Sequence, residues 1–124
     1  MGSNDFMTDF GMKYLSDQVT PQSFTLLTHD DDIERASRSM KAMSHPLRLK
    51  ILCVLGEYEY SVQDIVEQVG TSQSNISQHL AILRDKGILN SRKDANRVYY
   101  HVGDVRTLRL ISMMREVFCS SYCG

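Results

Sequence analysis

The sequence predicts a mainly α-helical fold with one small β-hairpin, in the order α-α-α-α-β-β-α, after an additional N-terminal arm. Three observations predict it. Apolar residues recur at helical spacing from residue 33 onward, glycines and capping residues divide this stretch into helices, and the period changes to two after Gly87. A chain of 124 residues with 42% apolar side chains buries one modest core, so we expect one domain at residues 33–124. Residues 1–32 form an acidic arm, expected to be partly helical or flexible.

The first two helices are indicated by their ends. Residues 30–32 are aspartates, which interact favourably with the positive N-terminal end of a helix dipole. The helix that follows carries apolar residues at helical spacing: Ile33, Ala36, Met40 and Met43. Pro46 fits the first turn of the second helix, with Ser44 as its cap. That helix is apolar on most faces and is expected to end at Gly56 in a left-handed conformation.

The third and fourth helices are short and closely spaced. Ser61 and Asp64 match the capping-box pattern at the start of the third helix, which ends at Gly70. The fourth helix is predicted from about Ser72 to Lys86. Its inward side is expected to carry Ile76, Leu80 and Leu83.

A hairpin and a last helix complete the predicted fold. The segments "ILNSRK" and "RVYYHV" are separated by the turn-forming residues "DAN". The final helix starts at Asp104 and carries an apolar stripe of Leu108, Ile111, Met114, Phe118 and Tyr122. This stripe is consistent with either a surface that binds a second copy of the chain or a part of the domain's own core.

Two short helices joined by a tight glycine-containing turn and followed by a basic hairpin form a winged helix-turn-helix pattern. The fourth helix has no acidic residue before Asp85, and its first turns carry hydrogen-bonding groups that suit base edges or phosphates. The candidate DNA-reading residues are Ser72, Gln73, Ser74, Ser77, Gln78 and His79. The hairpin residues Arg92, Lys93 and Arg97 are expected near the DNA backbone or minor groove. The simpler interpretation is that Ser72 only caps the helix and the other side chains face solvent.

The charge distribution agrees with a nucleic-acid partner. The net charge of −1 conceals an asymmetry, because residues 1–34 contain seven acidic side chains and one lysine. Residues 35–124 contain 13 Lys and Arg side chains against 8 acidic ones, so the body of the chain is basic.

Three segments, "MKAMSHPLRLKILCVL", "SQSNISQHLAILRDKGIL" and "SRKDANRVYYHV", resemble the ArsR family of bacterial winged-helix repressors. The resemblance covers roughly residues 33–122. It implies a homodimer, built from the first and last helices, that binds double-stranded operator DNA at a palindrome and releases it on sensing an inducer.

The metal sites of that family do not match this sequence. The Cys-x-Cys positions of the arsenic and cadmium sensors are occupied by Ser61 and Gln63. The zinc-site positions of the last helix are occupied by Asp104, Arg106, Val117 and Ser120. Because three of the four zinc ligands are missing, zinc cannot be held there tetrahedrally. We expect no resident metal and no cofactor.

The cysteines resemble those of the family branch that includes BigR, SqrR and HlyU, where paired cysteines respond to persulfides or oxidants. Cys53 lies in the second helix and Cys119 in the last one, as in that branch. The implied inducer is a small reactive sulfur species such as a persulfide or polysulfide. Cys123 leaves two alternatives open, a link between Cys119 and Cys123 or a three-thiolate site for arsenite or a soft metal. In a third interpretation the cysteines are inert, and Cys53 is an apolar core residue.

Other classes of protein are disfavoured. The sequence contains no Gly-rich phosphate loop, metal-binding histidine pair or paired carboxylates, so we expect no enzyme. The longest apolar run, "ILCVL", is too short to cross a bilayer, and no secretory signal is recognised. Three cysteines do not resemble a secreted disulfide framework, which favours a cytoplasmic location.

Overall fold

The computed structural model describes residues 24–119, which contain five helices and three strands. The helices are α1 (Asp30–Met43), α2 (Pro46–Leu55), α3 (Val62–Val69), α4 (Gln73–Asp85) and α5 (Val105–Cys119). The strands are β1 (Tyr60–Ser61), β2 (Leu89–Asp94) and β3 (Arg97–Val102). The predictions for most of the arm and for Tyr122 and Cys123 lie outside the described residues. The elements below belong to the unit Ile33–Gly124, with α1 beginning three residues earlier.

The predicted winged-helix fold, four helices followed by a hairpin and a helix, is confirmed, with one strand added. The additional strand, β1, pairs antiparallel with β3, so that Tyr60 lies opposite Tyr100 and the strand order is β1-β3-β2. A two-residue strand has no periodicity to detect in a sequence, because it is defined only by its partner. None of the helices in residues 24–119 is long and apolar enough to cross a membrane.

The core lies between α2, α3, α4 and the start of β2. Ile51, Leu52 and Leu55 of α2 and Ile65 of α3 are fully buried. The three residues of α4 predicted to point inward are also fully buried, which confirms that prediction: Ile76, Leu80 and Leu83. Leu89 brings β2 onto the same cluster, so the hairpin is attached to the helices through its first residues.

The helix caps confirm the sequence analysis at α3 and correct it at α2. At α3 the Ser61 hydroxyl accepts from Asp64 N–H at 3.2 Å, and the Asp64 carboxylate accepts from Ser61 N–H at 3.3 Å. This is the predicted capping box. At α2 the prediction of Ser44 as cap is wrong, because His45 Nδ1 accepts from the N–H of Leu47 at 3.1 Å. Ser44 instead donates to the carbonyl of Lys41.

The glycine predictions have different outcomes. Gly70 ends α3 in the left-handed conformation, with φ of 86° and ψ of 30°. Gly56 ends α2 with a positive φ of 53°, but its ψ of −130° lies outside the left-handed helical region. Both positions use a positive φ that a residue with a Cβ adopts only at a cost.

The hairpin turn is shorter than predicted. Asp94 belongs to β2 and pairs with Arg97, so only Ala95 and Asn96 form the turn. Ala95 has a φ of 57°, which is uncommon for a residue other than glycine. Two-residue hairpins favour turns with positive φ, because their twist matches that of the flanking strands.

Helix α5 lies on the domain without any fully buried residue. Ile111 packs against the core, and Leu108 and Met114 are half-buried, so three of the four described residues of the predicted stripe face inward. Phe118, also in the stripe, is 73% exposed. A second apolar face, which the sequence analysis did not separate from the stripe, is exposed and consists of Leu110, Met113 and Val117.

We expect the Ser61→Ala substitution to lower the free energy of unfolding by about 1 kcal/mol, because it removes the hydroxyl that satisfies a backbone N–H at the start of α3. Urea denaturation measures this change. The matched control is Ser37→Ala on the exposed side of α1, where a change within about 0.5 kcal/mol is expected. Equal losses in both variants would contradict a capping role for Ser61.

Candidate nucleic-acid interface

A tight turn joins α3 to α4, and side-chain hydrogen bonds stabilise the end of this turn that leads into α4. Ser72 caps α4, and its hydroxyl accepts from the N–H of Asn75 at 3.2 Å. The Asn75 side chain also donates to the hydroxyl of Thr71 at 3.2 Å. These two hydrogen bonds fix the first turn of α4 relative to the loop that precedes it. A helix that contacts DNA bases needs such rigid support.

One side of α4 combines exposure with hydrogen-bonding capacity. Five of the six residues predicted to read DNA in this helix and its cap are exposed: the cap Ser72, and Gln73, Ser74, Ser77 and Gln78 along the helix. The opposite side is the buried apolar side, so the polar side cannot turn inward. No acidic residue lies in the first turn of α4. Amides and hydroxyls in this position can donate to and accept from base edges in a major groove.

His79 requires a correction, because the structure places it inside the domain. The residue is 9% exposed and lies on the flank of α4 next to the core. Its Nδ1 atom lies 3.2 Å from Nη1 of Arg48, and its ring lies 4.5 Å from that of His45. The prediction that His79 faces a DNA groove is therefore wrong. Its sequence position, three residues after Ile76 and one before Leu80, carried the signal of an inward-facing residue.

The environment of His79 favours its neutral form. Burial lowers the pKa of His79 from its ordinary 6.5, and the nearby charges of His45 and Arg48 lower it further. Because Arg48 is a donor, Nδ1 of His79 acts as the acceptor in this contact. The neutral ring thus links α2 to α4 beneath the polar surface.

The tip of the hairpin and the starts of α3 and α4 border a common groove of about 390 Å³. Its lining residues are Ser61, Val62, Gln63, Gln73, Asn96, Arg97 and Val98. Of these residues, Gln73 and Arg97 are among the predicted DNA contacts, whereas Gln63 and Asn96 are not predicted from the sequence. Their polar side chains gave no local signal of function, because only folding brings the turn of the hairpin beside α3.

Of the three basic hairpin residues, Arg92 is engaged within the chain. Its Nε and Nη2 atoms donate to both carboxylate oxygens of Glu59 at 2.8–3.0 Å. Its guanidinium also lies 4.8 Å from the centre of the Tyr99 ring. The hydrogen bonds from Arg92 hold the pKa of Glu59 below its ordinary value. Lys93 and Arg97 remain exposed, and no acidic side chain pairs with Lys93 in residues 24–119.

The two described thiols are both at the surface. Cys53 is exposed although it lies between fully buried Leu52 and half-buried Val54, and Cys119 is exposed at the end of α5. Neither forms a disulfide in the described part of the chain. The interpretation of Cys53 as an apolar core residue is therefore wrong. An amphipathic period could not reveal this, because α2 is apolar on most sides.

Asp104 is committed to a local ion pair. Its carboxylate accepts from Arg106 Nη2 at 2.7 Å and from the N–H of Arg106 at 2.9 Å. These bonds lower the pKa of Asp104 to about 2. Arg106 stands where zinc-binding members of the family that the sequence resembles carry a histidine. Here its guanidinium binds the neighbouring carboxylate of Asp104.

Known proteins resemble the chain in both sequence and fold. The family profile described as "Bacterial regulatory protein, arsR family" matches residues 45–91. The Biofilm growth-associated repressor of Xylella fastidiosa (strain Temecula1 / ATCC 700964) is 32% identical over 97 residues, which cover 76% of this chain and 85% of the relative. The HTH-type transcriptional regulator YgaV of Escherichia coli (strain K12) is 40% identical over 87 residues, covering 69% of this chain and 88% of the relative.

A solved structure gives the same relationship. HlyU from Vibrio cholerae N16961 superposes with a TM-score of 0.67 at 35% identity, covering 73% of this chain and 99% of that one.

We expect folding stability to decrease as the pH falls below 6.5, in part because of His79. Its pKa is lower in the folded chain than the ordinary 6.5, so protonation favours the unfolded chain. The stabilising contribution of neutral His79 is therefore fully present above that pH and is lost on acidification. Urea denaturation at about pH 7.5 and about pH 5.5 measures the loss, which should be smaller in His79→Gln than in the parent. His29→Gln, at an exposed histidine, is the control, and an equal effect of both variants would contradict the assignment.

Proposed function

The chain belongs to the ArsR family of bacterial DNA-binding transcriptional regulators, and from that premise we propose that it is a homodimeric repressor that reactive sulfur species or oxidation release from its operator. This family consists of regulators rather than enzymes, which confirms the expectation that the chain is not a catalyst. The observation that carries the DNA-reading part of the proposal is the exposed polar side of α4 opposite its fully buried apolar side.

We assign base reading to four side chains of α4, namely Gln73, Ser74, Ser77 and Gln78. Ser72 caps the helix and keeps its first turn in place. Lys93 and Arg97 supply the phosphate contacts of the hairpin, because both are exposed at its tip. Arg92 joins them only if it leaves Glu59, since its guanidinium already donates three hydrogen bonds to that carboxylate.

Dimerisation would cover apolar surface that a single chain leaves exposed. Ile33 and Met40 of α1 are 45% and 59% exposed, and Val117 and Phe118 of α5 are 65% and 73% exposed. Exposed apolar side chains that a second copy of the chain covers together would form an interaction site. The first and last helices are also those that the resemblance to the ArsR family assigns to the dimer.

The proposed sensor consists of Cys53 and Cys119. Both thiols are exposed and therefore accessible to a small sulfur compound. Two thiols lose two hydrogen atoms when they become linked, and a polysulfide that leaves one sulfur atom in the bridge is reduced to sulfide. Because Cys53 lies beside core residues of α2 that pack under α4, a link to α5 would strain the DNA-reading helix.

For DNA reading, we expect Gln73→Ala and Ser77→Ala to reduce discrimination between operator and random duplex, because a good base contact contributes about 1–3 kcal/mol. Arg97→Ala should weaken both kinds of binding and reduce the dependence of affinity on salt. Fluorescence anisotropy at several salt concentrations measures both effects. Gln68→Ala, an exposed glutamine of α3 outside this surface, is the matched control. The same response from the helix and hairpin variants would contradict this division of roles.

For sensing, we expect polysulfide to release the parent protein from operator DNA but not the Cys53→Ser or Cys119→Ser variant. Mass spectrometry of the released protein should give a Cys53–Cys119 link and the number of sulfur atoms in it. A Cys123→Ser variant separates the alternatives, because it should respond like the parent if Cys119 pairs with Cys53.

Two outcomes would overturn the sulfur switch while leaving the DNA-binding function intact. Release by arsenite that requires all three cysteines would favour a three-thiolate site. Unchanged operator binding in the parent after polysulfide, peroxide and arsenite treatment would favour inert cysteines.

A further inference from the structure

A cleft on the flank of α4 is lined mostly by cations. It has a volume of about 310 Å³ and is bordered by Arg38, Lys41, Ala42, Arg48, Ile82 and Lys86. Four of these six side chains are positively charged and come from α1, α2 and the cap of α4. Four cations around one opening repel each other unless an anion lies between them.

The described residues do not neutralise the charge of this cleft. Within residues 24–119, no carboxylate lies within ion-pair distance of any of the four cations. Arg48 is held in position instead by neutral groups, the carbonyl of Ala42 and Nδ1 of His79. A guanidinium fixed by neutral acceptors keeps its full charge and loses little freedom when it binds an anion.

Helix dipoles explain only part of the cluster. Lys41 is in the last turn of α1 and Lys86 caps the end of α4, where a cation is favourable. Arg48, however, is in the first turn of α2, where the positive end of the dipole disfavours a cation. Arg38 lies within α1 and at neither end. Helix dipoles do not explain why these two arginines lie at the cleft, whereas an anion bound in the cleft would explain it.

The cleft lies on the side of the DNA-reading helix that is opposite the hairpin groove. Gln73 borders the groove at the hairpin tip, and Ile82 borders the cleft. Ile82 follows Gln73 by nine positions, which is about two and a half helical turns. The two side chains therefore lie on opposite flanks of α4. A helix in a major groove has one phosphate backbone on each flank, so the cleft lies on the side where the hairpin makes no contact.

We propose that this cleft is a binding site for a phosphate-type oxyanion, either a backbone phosphate of the bound duplex or a free phosphate. Arg48 and Arg38 provide the hydrogen-bonding forks that match such an oxyanion, and Lys41 and Lys86 add charge. The first of the two sources rests on the proposed DNA-binding function, whereas the second does not.

The test compares the full chain with the Arg38→Gln/Lys41→Gln double variant and with Arg48→Lys, which keeps the charge but removes the fork. Lys50→Gln, an exposed cation of α2 outside the cleft, is the matched control. Thermal unfolding of each variant establishes that it is folded. Two measurements follow on each: titration with inorganic phosphate and pyrophosphate at constant ionic strength, monitored by amide chemical shifts, and affinity for operator and random duplexes over a range of salt.

If duplex phosphate occupies the cleft, the double variant weakens binding to both duplexes, and the slope of log affinity against log salt falls by about 0.9 for each phosphate that the variant no longer neutralises. If a free oxyanion occupies it, phosphate or pyrophosphate shifts the amides of cleft residues in the parent and control but not in the double variant, and DNA affinity is unchanged. A parent that binds no duplex specifically would refute the proposed function and leave the free-oxyanion arm measurable. Chloride shifting the same amides equally, or the absence of both effects, would overturn the oxyanion site.

Discussion

The burial of one side of α4 is the interaction on which the rest of the structure depends. Ile76, Leu80 and Leu83 are fully buried against α2, α3 and the hairpin, and this packing determines which side chains remain outside. Because consecutive residues of a helix turn by about 100°, fixing the apolar side also fixes the polar side. The exposed Gln73 and Ser77 thus depend for their position on residues that never contact a ligand.

Internal acceptors decide which cations are available to an anionic partner. The Glu59 carboxylate accepts three hydrogen bonds from Arg92. It neutralises the guanidinium, so Arg92 adds little to the positive charge of the hairpin. His79 and the carbonyl of Ala42 orient Arg48 without neutralising it. A carboxylate partner lowers the charge that an arginine offers to phosphate, whereas a neutral acceptor leaves that charge in place. Arg48 therefore offers more charge to a phosphate than Arg92 does, although both side chains are hydrogen-bonded within the chain.

Helix α2 connects the surface thiol of Cys53 to α4, the proposed DNA-reading helix. Cys53 is exposed, whereas its neighbour Leu52 is fully buried in the cluster that supports α4. Close-packed cores transmit displacement, because they contain little empty volume to absorb it. A covalent change at Cys53 would therefore displace α4 even though the thiol itself does not contact DNA. Helix α5, at the other end of the proposed link, has no fully buried residue, and its Val117 and Phe118 are exposed.

The sequence by itself determined the order of the five helices and the hairpin, the capping box of Ser61, the glycine at the end of α3 and the buried side of α4, because each depends on residues within a few positions of one another. Only the tertiary structure decided the partner of His79, the exposure of Cys53 and the partner of Arg92. His79 meets Arg48 across 31 positions, and Arg92 meets Glu59 across 33. Periodicity reports which side of a helix is apolar, but the partner of a polar side chain depends on which distant segment folding brings beside it.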